Sequence, residues 1–150
     1  MKFKGACQCG QVKYEIDGEA LGLAICYCTE CQKASTGIAT YAMLVPKSSF
    51  RLISGKLKQW ERDSDMGTRS ITNFCPECGV RIFNQNPEMP EMLRVKAGTL
   101  ENANQLEPDV HVWKSSAPAW VETPENALVY EKQPPLTEIV AAVMARRAGK

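Results

Sequence analysis

The chain of 150 residues lacks the sequence features that are typical of nucleic-acid-binding, membrane and secreted proteins. Its net charge is only +1, and its Lys and Arg residues are interspersed with Asp and Glu, which argues against a nucleic-acid partner. No apolar run approaches the length of a membrane-spanning helix, and the first residues lead into no apolar secretion signal. We therefore expect a cytoplasmic protein without a membrane partner.

Histidine is almost absent, and internal repeats, low-complexity segments and linkers are missing. His111 is the only histidine, so no other side chain has an unperturbed pKa near neutrality. Without a linker, the length predicts one domain over residues 1–150. Its core should span about 3–121, followed by a helix over 137–147 that begins after an N-cap at Thr137.

Cysteine, in contrast, is plentiful and clustered. The seven cysteines form three groups, so none is solitary: Cys7 and Cys9; Cys26, Cys28 and Cys31; Cys75 and Cys78. An odd number cannot be used up in disulfides, and Cys-x-x-Cys spacing in a chain of cytosolic character indicates zinc. We therefore interpret the cysteines as metal ligands, with a redox role as the less favoured alternative.

The cysteine groups divide into two zinc sites. Cys7-Gln8-Cys9 and Cys75-Pro76-Glu77-Cys78 are each followed at once by glycine, which allows the tight turn of a zinc knuckle. Two knuckles together supply the four ligands of a closed, structural zinc site. Cys26, Cys28 and Cys31 then remain, and three protein ligands with one open position are typical of a catalytic zinc.

Three thiolates also indicate which chemistry to expect. They leave Zn²⁺ with a net charge of −1, which disfavours the activation of water but suits a soft fourth ligand such as an incoming thiol. The sequence therefore favours thiol or C–S bond chemistry over hydrolysis. The alternative is a second structural site, closed by His111 or by an oxygen ligand.

The remaining pattern predicts a mostly antiparallel β fold with one terminal helix. Short alternating or apolar segments at 11–17, 38–45, 50–53, 57–62, 80–83, 92–97 and 110–113 read as strands, and residues 63–67 as a hairpin loop. One helical turn is expected over 32–37, with its N-terminal amides near the metal thiolates. We expect Trp60, Trp113 and Trp120 in the core or in a pocket wall.

Taken together, the chain resembles the glutathione-dependent formaldehyde-activating enzyme family. The likeness spans roughly Phe3 to Val121 and is carried by the segments Gly5 to Tyr14, Cys26 to Ala34, Phe74 to Gly79, Ala97 to Leu100 and His111 to Trp113 before Trp120. The resemblance implies a two-sheet β-tent fold with Cys7, Cys9, Cys75 and Cys78 on a structural zinc. It also implies a catalytic zinc on Cys26, Cys28 and Cys31, and therefore two Zn²⁺ per chain.

The activity implied is that of an S-(hydroxymethyl)glutathione synthase, a carbon–sulfur lyase that joins glutathione to formaldehyde. Trp113 is the best candidate to line a cosubstrate cleft, and Lys33, Lys114 or Arg69 could meet the glutathione carboxylates. His111 could act as general acid/base, although a structural histidine is the favoured interpretation of its apolar strand. The apolar stripe of the terminal helix could pack internally or in a homodimer.

Two other functions stay open at this point. One is a non-catalytic binding module stapled by zinc, which would have two closed metal sites. The other is a thiol or metal sensor that releases zinc on oxidation.

Overall fold

The computed structural model describes residues 1–64 and 67–150, and it is mainly β. The strands, numbered in chain order, are β1 (Lys2–Ala6), β2 (Lys13–Asp17), β3 (Gly22–Cys26), β4 (Thr40–Pro46), β5 (Phe50–Ser54), β6 (Lys58–Asp63), β7 (Arg69–Phe74), β8 (Arg81–Gln85), β9 (Met92–Lys96), β10 (Val110–Val112) and β11 (Leu128–Val129). The helices are α1 (Thr29–Ser35) and α2 (Leu136–Ala148). No helix of the described residues is long and apolar enough to cross a membrane.

The chain forms two compact units. The first comprises residues 1–20 and 43–106, and the second residues 21–42 and 107–150. The first unit contains an antiparallel three-stranded sheet with the order β1-β2-β5. Its alternation places Tyr14 and Ile16 of β2 in the interior, at 1% and 0% exposure, with charged residues on the other side.

The first unit also contains strands of a second sheet. These strands have the order β4-β9-β8-β7-β6, of which β4 belongs to the first unit from Met43 onward, and the pairs β6–β7, β7–β8 and β8–β9 are antiparallel. Phe50 of β5 meets Phe83 of β8 edge to face, with ring centroids 5.0 Å apart, and Phe50 also stacks on Tyr14. The contact between Phe50 and Phe83 joins the two sheets within the first unit.

In the second unit, β10 pairs in parallel with both β3 and β11. Val110 and Val112 of β10 pack with Ile139 and Val143 of α2, so all four side chains are nearly removed from water. This packing uses the α2 stripe within the chain, and Met144 of the predicted stripe is 51% exposed.

The architecture confirms the predicted mainly β fold with two sheets and a C-terminal helix. Three local expectations were wrong. α1 begins at Thr29 rather than Gln32, α2 begins at Leu136, and the N-cap of α2 is Pro135 rather than Thr137. β1 and the parallel pairing of β10 with β3 and β11 were not predicted. Residues Asp65 and Met66 of the predicted hairpin loop lie outside the described residues, and the strands that flank it do pair antiparallel.

Of the predicted core or pocket-wall positions, the core is excluded for two of the three tryptophans. Trp60 is 51% exposed and Trp120 is 72% exposed, so neither belongs to the core. Trp60 lies on β6, which is the edge strand of its sheet in the first unit, and an edge strand is covered less than a central one.

Candidate metal centres

Four cysteines of the first unit converge at one point. The sulfurs of Cys7, Cys9, Cys75 and Cys78 all lie within 4.8 Å of one another. The distance from Cys7 Sγ to Cys9 Sγ is 3.5 Å, and that from Cys9 Sγ to Cys75 Sγ is 3.8 Å. Four sulfurs held tetrahedrally at about 2.3 Å from zinc would be separated by about 3.8 Å, so the spacing fits this ion.

The first pair of this group sits on a tight turn between β1 and β2. The N–H of Cys7 donates to Val12 O at 3.0 Å, and the N–H of Gly10 donates to Cys7 O at 3.1 Å. Gly10 has a φ of +80°, a conformation that glycine adopts without steric cost. The N–H of Val12 also donates to Cys7 Sγ at 3.3 Å, so the turn brings a backbone dipole to the sulfur.

The second pair repeats this turn between β7 and β8. The N–H of Cys75 donates to Val80 O at 2.9 Å, the N–H of Gly79 donates to Cys75 O at 2.8 Å, and Gly79 has a φ of +77°. Backbone hydrogen bonds from Val80 and then Cys9 lower the pKa of Cys78 to about 6. The knuckle glycines predicted from the sequence therefore have a geometric role, because their turns aim N–H groups at the thiols.

The other three cysteines converge in the second unit. Cys26 ends β3, Cys28 is the N-cap of α1, and Cys31 lies in the first turn of α1. Their sulfurs are within 4.8 Å of one another, and the residues range from buried to half-buried. The N–H of Cys31 donates to Cys28 Sγ at 3.3 Å, so a thiol satisfies a free amide of the helix N-terminus. The expected proximity of helix amides to these thiols is thus present.

The electrostatics of this group call for a cation. Hydrogen bonding to Cys28 and Cys31, together with burial, raises the pKa of Cys26 well above its usual value. Three thiols this close do not ionise together unless a positive charge lies among them. A soft divalent ion such as Zn²⁺ supplies that charge, and a coordinating thiol is deprotonated by the metal.

His111 lies on the other side of the strand pair from Cys26. Val112 is directly opposite Cys26 in the β3–β10 register, and both pack against the cluster beneath α2. His111 alternates with Val112 and therefore projects from the opposite face. The structure does not bring His111 into the group of three sulfurs, and no other Cys, His, Asp or Glu of the described residues joins that group.

Tyr27 lies between Cys26 and Cys28 in the sequence, and hydrogen bonds restrain three of its atoms. Its N–H donates to Val112 O at 3.1 Å, and its carbonyl oxygen accepts from Gln32 Nε2 at 2.8 Å. Its phenol hydrogen-bonds His111 Nδ1 at 2.8 Å, and the two rings stack. The amide of Gln32 also reaches Ser116 O at 2.8 Å. The sequence offered no signal for Tyr27 or Gln32 as positioning residues, because their partners His111 and Ser116 are each 84 residues away.

Burial first, and then the charges of Lys114 and Arg146, lower the pKa of His111. The ring is therefore neutral at neutral pH. Burial raises the pKa of Tyr27, so the phenol keeps its proton and can donate it to Nδ1. His111 is 4% exposed, and its Nε2 has no hydrogen-bond partner among the described residues.

The predicted cosubstrate contacts differ in where they lie. Trp113 packs against the same apolar cluster as Cys26, and its φ of +56° is unusual for a residue with a bulky side chain. Lys33 lies on α1 and forms an exposed ion pair with Glu30 at 3.4 Å. Arg69 pairs with Glu61 and Asp63 in the first unit. Only Trp113 is thus packed against a cluster that includes one of the three cysteines.

Comparison with known proteins identifies a family. Residues 2–116 match the sequence profile of a family described as "Glutathione-dependent formaldehyde-activating enzyme". Among solved structures, the chain is similar to the crystal structure of a Rhodobacter sphaeroides protein, with 21% sequence identity and a TM-score of 0.53. That similarity covers 85% of this chain and 98% of the other, and at this identity it supports the fold alone. No curated protein shows significant similarity.

Proposed function

The chain belongs to the glutathione-dependent formaldehyde-activating enzyme family, and we propose on this premise that it joins a small thiol to a small aldehyde. The family supports glutathione as the thiol and formaldehyde as the aldehyde, which makes the protein a carbon–sulfur lyase of the S-(hydroxymethyl)glutathione synthase type. The observation that carries the proposal is the group of Cys26, Cys28 and Cys31, in which three sulfurs converge without a fourth side-chain ligand from the described residues.

The two cysteine groups have different roles in this proposal. Cys7, Cys9, Cys75 and Cys78 hold a structural zinc, because four thiolates complete its coordination. Cys26, Cys28 and Cys31 would hold a second zinc, and its chemistry would be to bind an incoming thiol and favour loss of the thiol proton. The need to keep seven thiols reduced fits a cytoplasmic location.

The addition of a thiol to an aldehyde needs mainly that the two reactants are aligned and that the thiol loses its proton. The sulfur of the thiol adds to the aldehyde carbon and forms a C–S bond, while the C=O π electrons move to the oxygen. The proton lost by the thiol ends on that oxygen, so atoms and charge balance. The end of β3 and the first turn of α1 keep the three sulfurs together, and the burial of Cys28, at 8% exposure, limits access of water.

Native mass spectrometry of the purified chain, with and without glutathione, tests the proposal. We expect two zinc ions and a glutathione adduct for the parent protein. Cys28→Ala should retain one zinc and take up no glutathione, since two thiolates hold zinc poorly. Ser35→Ala, an exposed change on the same helix, is the matched control and should behave as the parent does.

Formaldehyde consumption in the presence of glutathione then tests catalysis. The parent should form S-(hydroxymethyl)glutathione faster than the uncatalysed mixture, and Cys28→Ala should not. Two zinc ions that never accept a thiol would contradict the proposal and favour a non-catalytic binding module. Zinc that is released on mild oxidation, without any aldehyde chemistry, would favour a sensor.

A further inference from the structure

One face of the strands β6 to β9 collects basic side chains. In the register of these strands, Trp60, Thr72, Asn84 and Arg94 lie directly opposite one another and so project from the same face. Arg62 is opposite Ser70 in the neighbouring row, and Lys58 is opposite Phe74 on the other side. The β7–β8 register shifts between Asn73 and Phe74, and Arg81 is assigned to this face by its contact with Thr72 Oγ1. We call this surface the basic face; its Lys and Arg residues are Lys58, Arg62, Arg81, Arg94 and Lys96.

The basic face carries no acidic residue on these four strands, all of whose residues the structure describes. The acidic residues of β6, Glu61 and Asp63, alternate with Trp60 and Arg62 and project from the opposite face, where they pair with Arg69. Charges that are interspersed in the sequence are therefore separated by the strand period of two. The charged side chains that these four strands present on the basic face are therefore all positive, in a chain whose net charge is only +1.

Hydroxyl and amide groups form the floor of the basic face. Ser70 and Thr72 are 8% and 2% exposed. Asn84 Nδ2 donates to both hydroxyls, at 3.1 and 2.8 Å, and Arg81 Nη1 also donates to Thr72 Oγ1 at 3.4 Å. Because Thr72 Oγ1 accepts both bonds, its own proton can be donated to a further acceptor.

Asn84 adds an acceptor to this floor. Its Oδ1 is buried and has no hydrogen-bond partner among the described residues. A buried carbonyl oxygen without a partner is costly, so a site of this kind is completed by a group that donates to it. The basic face thus offers guanidinium groups and a hydroxyl for a carboxylate, and a carbonyl oxygen for an ammonium or amide N–H.

We propose that the basic face binds the carboxylate of a small amino-acid-like or peptide-like molecule. The buried floor favours a small ligand over a polyanion, because a nucleic-acid strand is bound along an extended, exposed basic groove. Trp60, half-exposed at the end of the central row, adds an apolar wall. This proposal rests on the proposed function only for the choice of probe. Glutathione suggests that probe because it is a peptide with two carboxylates and free N–H donors.

S-methylglutathione is the probe, because it keeps both carboxylates and lacks a thiol. Isothermal titration calorimetry should show binding to the parent protein and at least about tenfold weaker binding to the double variant Arg62→Gln/Arg81→Gln. The matched control Lys2→Gln/Arg51→Gln removes two basic residues that pair with Glu15 away from the basic face, and its affinity should stay within about twofold of the parent. Circular dichroism checks that both double variants fold.

A second variant makes the test independent of net charge. Thr72→Val keeps the side-chain shape and removes the hydroxyl proton, so binding of S-methylglutathione should weaken by about fivefold or more. The proposal is overturned if the parent shows no heat of binding, or if Arg62→Gln/Arg81→Gln and Thr72→Val both bind as the parent does.

Turnover with formaldehyde tests whether the carboxylate that binds to the basic face belongs to glutathione or to another small acid. If Arg62→Gln/Arg81→Gln raises KM for glutathione but not for 2-mercaptoethanol, a thiol without a carboxylate, the basic face serves the cosubstrate. If both KM values stay unchanged while S-methylglutathione binding is lost, the ligand is a separate small acid. If neither thiol gives product while S-methylglutathione still binds, the result would count against the proposed function. It would still support the basic face as a binding site.

Discussion

Tyr27 separates two proposed metal ligands in the sequence, and its surroundings restrain both. Its N–H, carbonyl oxygen and phenol each have a partner at hydrogen-bond distance. A ligand segment that is restrained in this way keeps its sulfurs together before a metal arrives, which lowers the entropy lost on binding. Tyr27 therefore acts as a positioning residue for the three-cysteine group.

Replacing Tyr27 by Phe removes only the hydrogen bond to His111. We expect this variant to bind zinc at the three-cysteine group about tenfold more weakly, because outer-shell partners of ligands have effects of this order. Competition with a chromogenic chelator measures the change. Tyr14→Phe is the matched control, since it removes the bond from the Tyr14 phenol to Thr99 Oγ1 in the other unit. Equal zinc retention in the two variants would assign Tyr27 a purely structural role.

Gly5 is the point at which β1 passes closest to a buried ring. A Cβ built on Gly5 would overlap the ring and hydroxyl of Tyr14, which is 1% exposed. We expect Gly5→Ala to lower the free energy of unfolding by about 1–3 kcal/mol, measured by urea denaturation, since the ring must be displaced. Gly98→Ala is the control because its Cβ would have no neighbour within 4 Å. An unchanged midpoint for Gly5→Ala would contradict this packing.

At the scale of elements, α2 is anchored by one carboxylate as well as by its apolar stripe. Asp109, 9% exposed, accepts from the N–H of Leu23 at 2.8 Å and from Arg147 Nη2 at 2.6 Å. Arg146 donates to the carbonyl oxygen of Asp109 at 2.7 Å. The last turn of α2 is thereby fastened to the segments that precede β10 and begin β3.

Replacing Arg147 by Leu leaves the Asp109 carboxylate with less compensation for its burial. We expect a loss of about 2 kcal/mol in the free energy of unfolding, measured by urea denaturation followed by circular dichroism. Lys150→Leu removes a charge just beyond the helix and should change it by less than about 0.5 kcal/mol. If both variants unfold at the same urea concentration, the Asp109 anchor contributes little to stability.

Periodicity predicted α2 almost to its ends but said nothing about this anchor. The apolar stripe repeats every turn, so it is visible locally, whereas Asp109 and Arg147 are 38 residues apart. The same distinction explains β10. Its apolar residues predicted a strand, but its parallel pairing with β3 depends on segments far apart in the chain.

For the whole molecule, the cysteine grouping was the part of the site that spacing alone could predict. The groups of four and three cysteines both converge. Cys-x-Cys and Cys-x-x-Cys turns place neighbouring sulfurs together locally, and the glycine that follows each pair was the signal that joined Cys7 and Cys9 to Cys75 and Cys78. The basic face could not be predicted in this way. Only the strand register shows that Arg62, Arg81 and Arg94 share a surface and that Glu61 does not.

Stepwise removal of metal should separate the two groups. A strong chelator added to the protein with two zinc ions should first take the ion held by three thiolates, since fewer protein ligands hold it. Circular dichroism should change little in that step and decrease when the second ion leaves. Loss of secondary structure together with the first ion would show that the three-cysteine group is itself structural.

The sequence distance between the two halves of the closed group has a consequence for synthesis on the ribosome. Cys9 and Cys75 are 66 residues apart, so at typical elongation rates the first thiol pair is made some 3–13 seconds before the second. During that interval a nascent chain carries only half of the proposed zinc ligands, and these thiols must avoid oxidation and foreign ions. Correct assembly of the protein therefore depends on the redox state of its surroundings while translation is still under way.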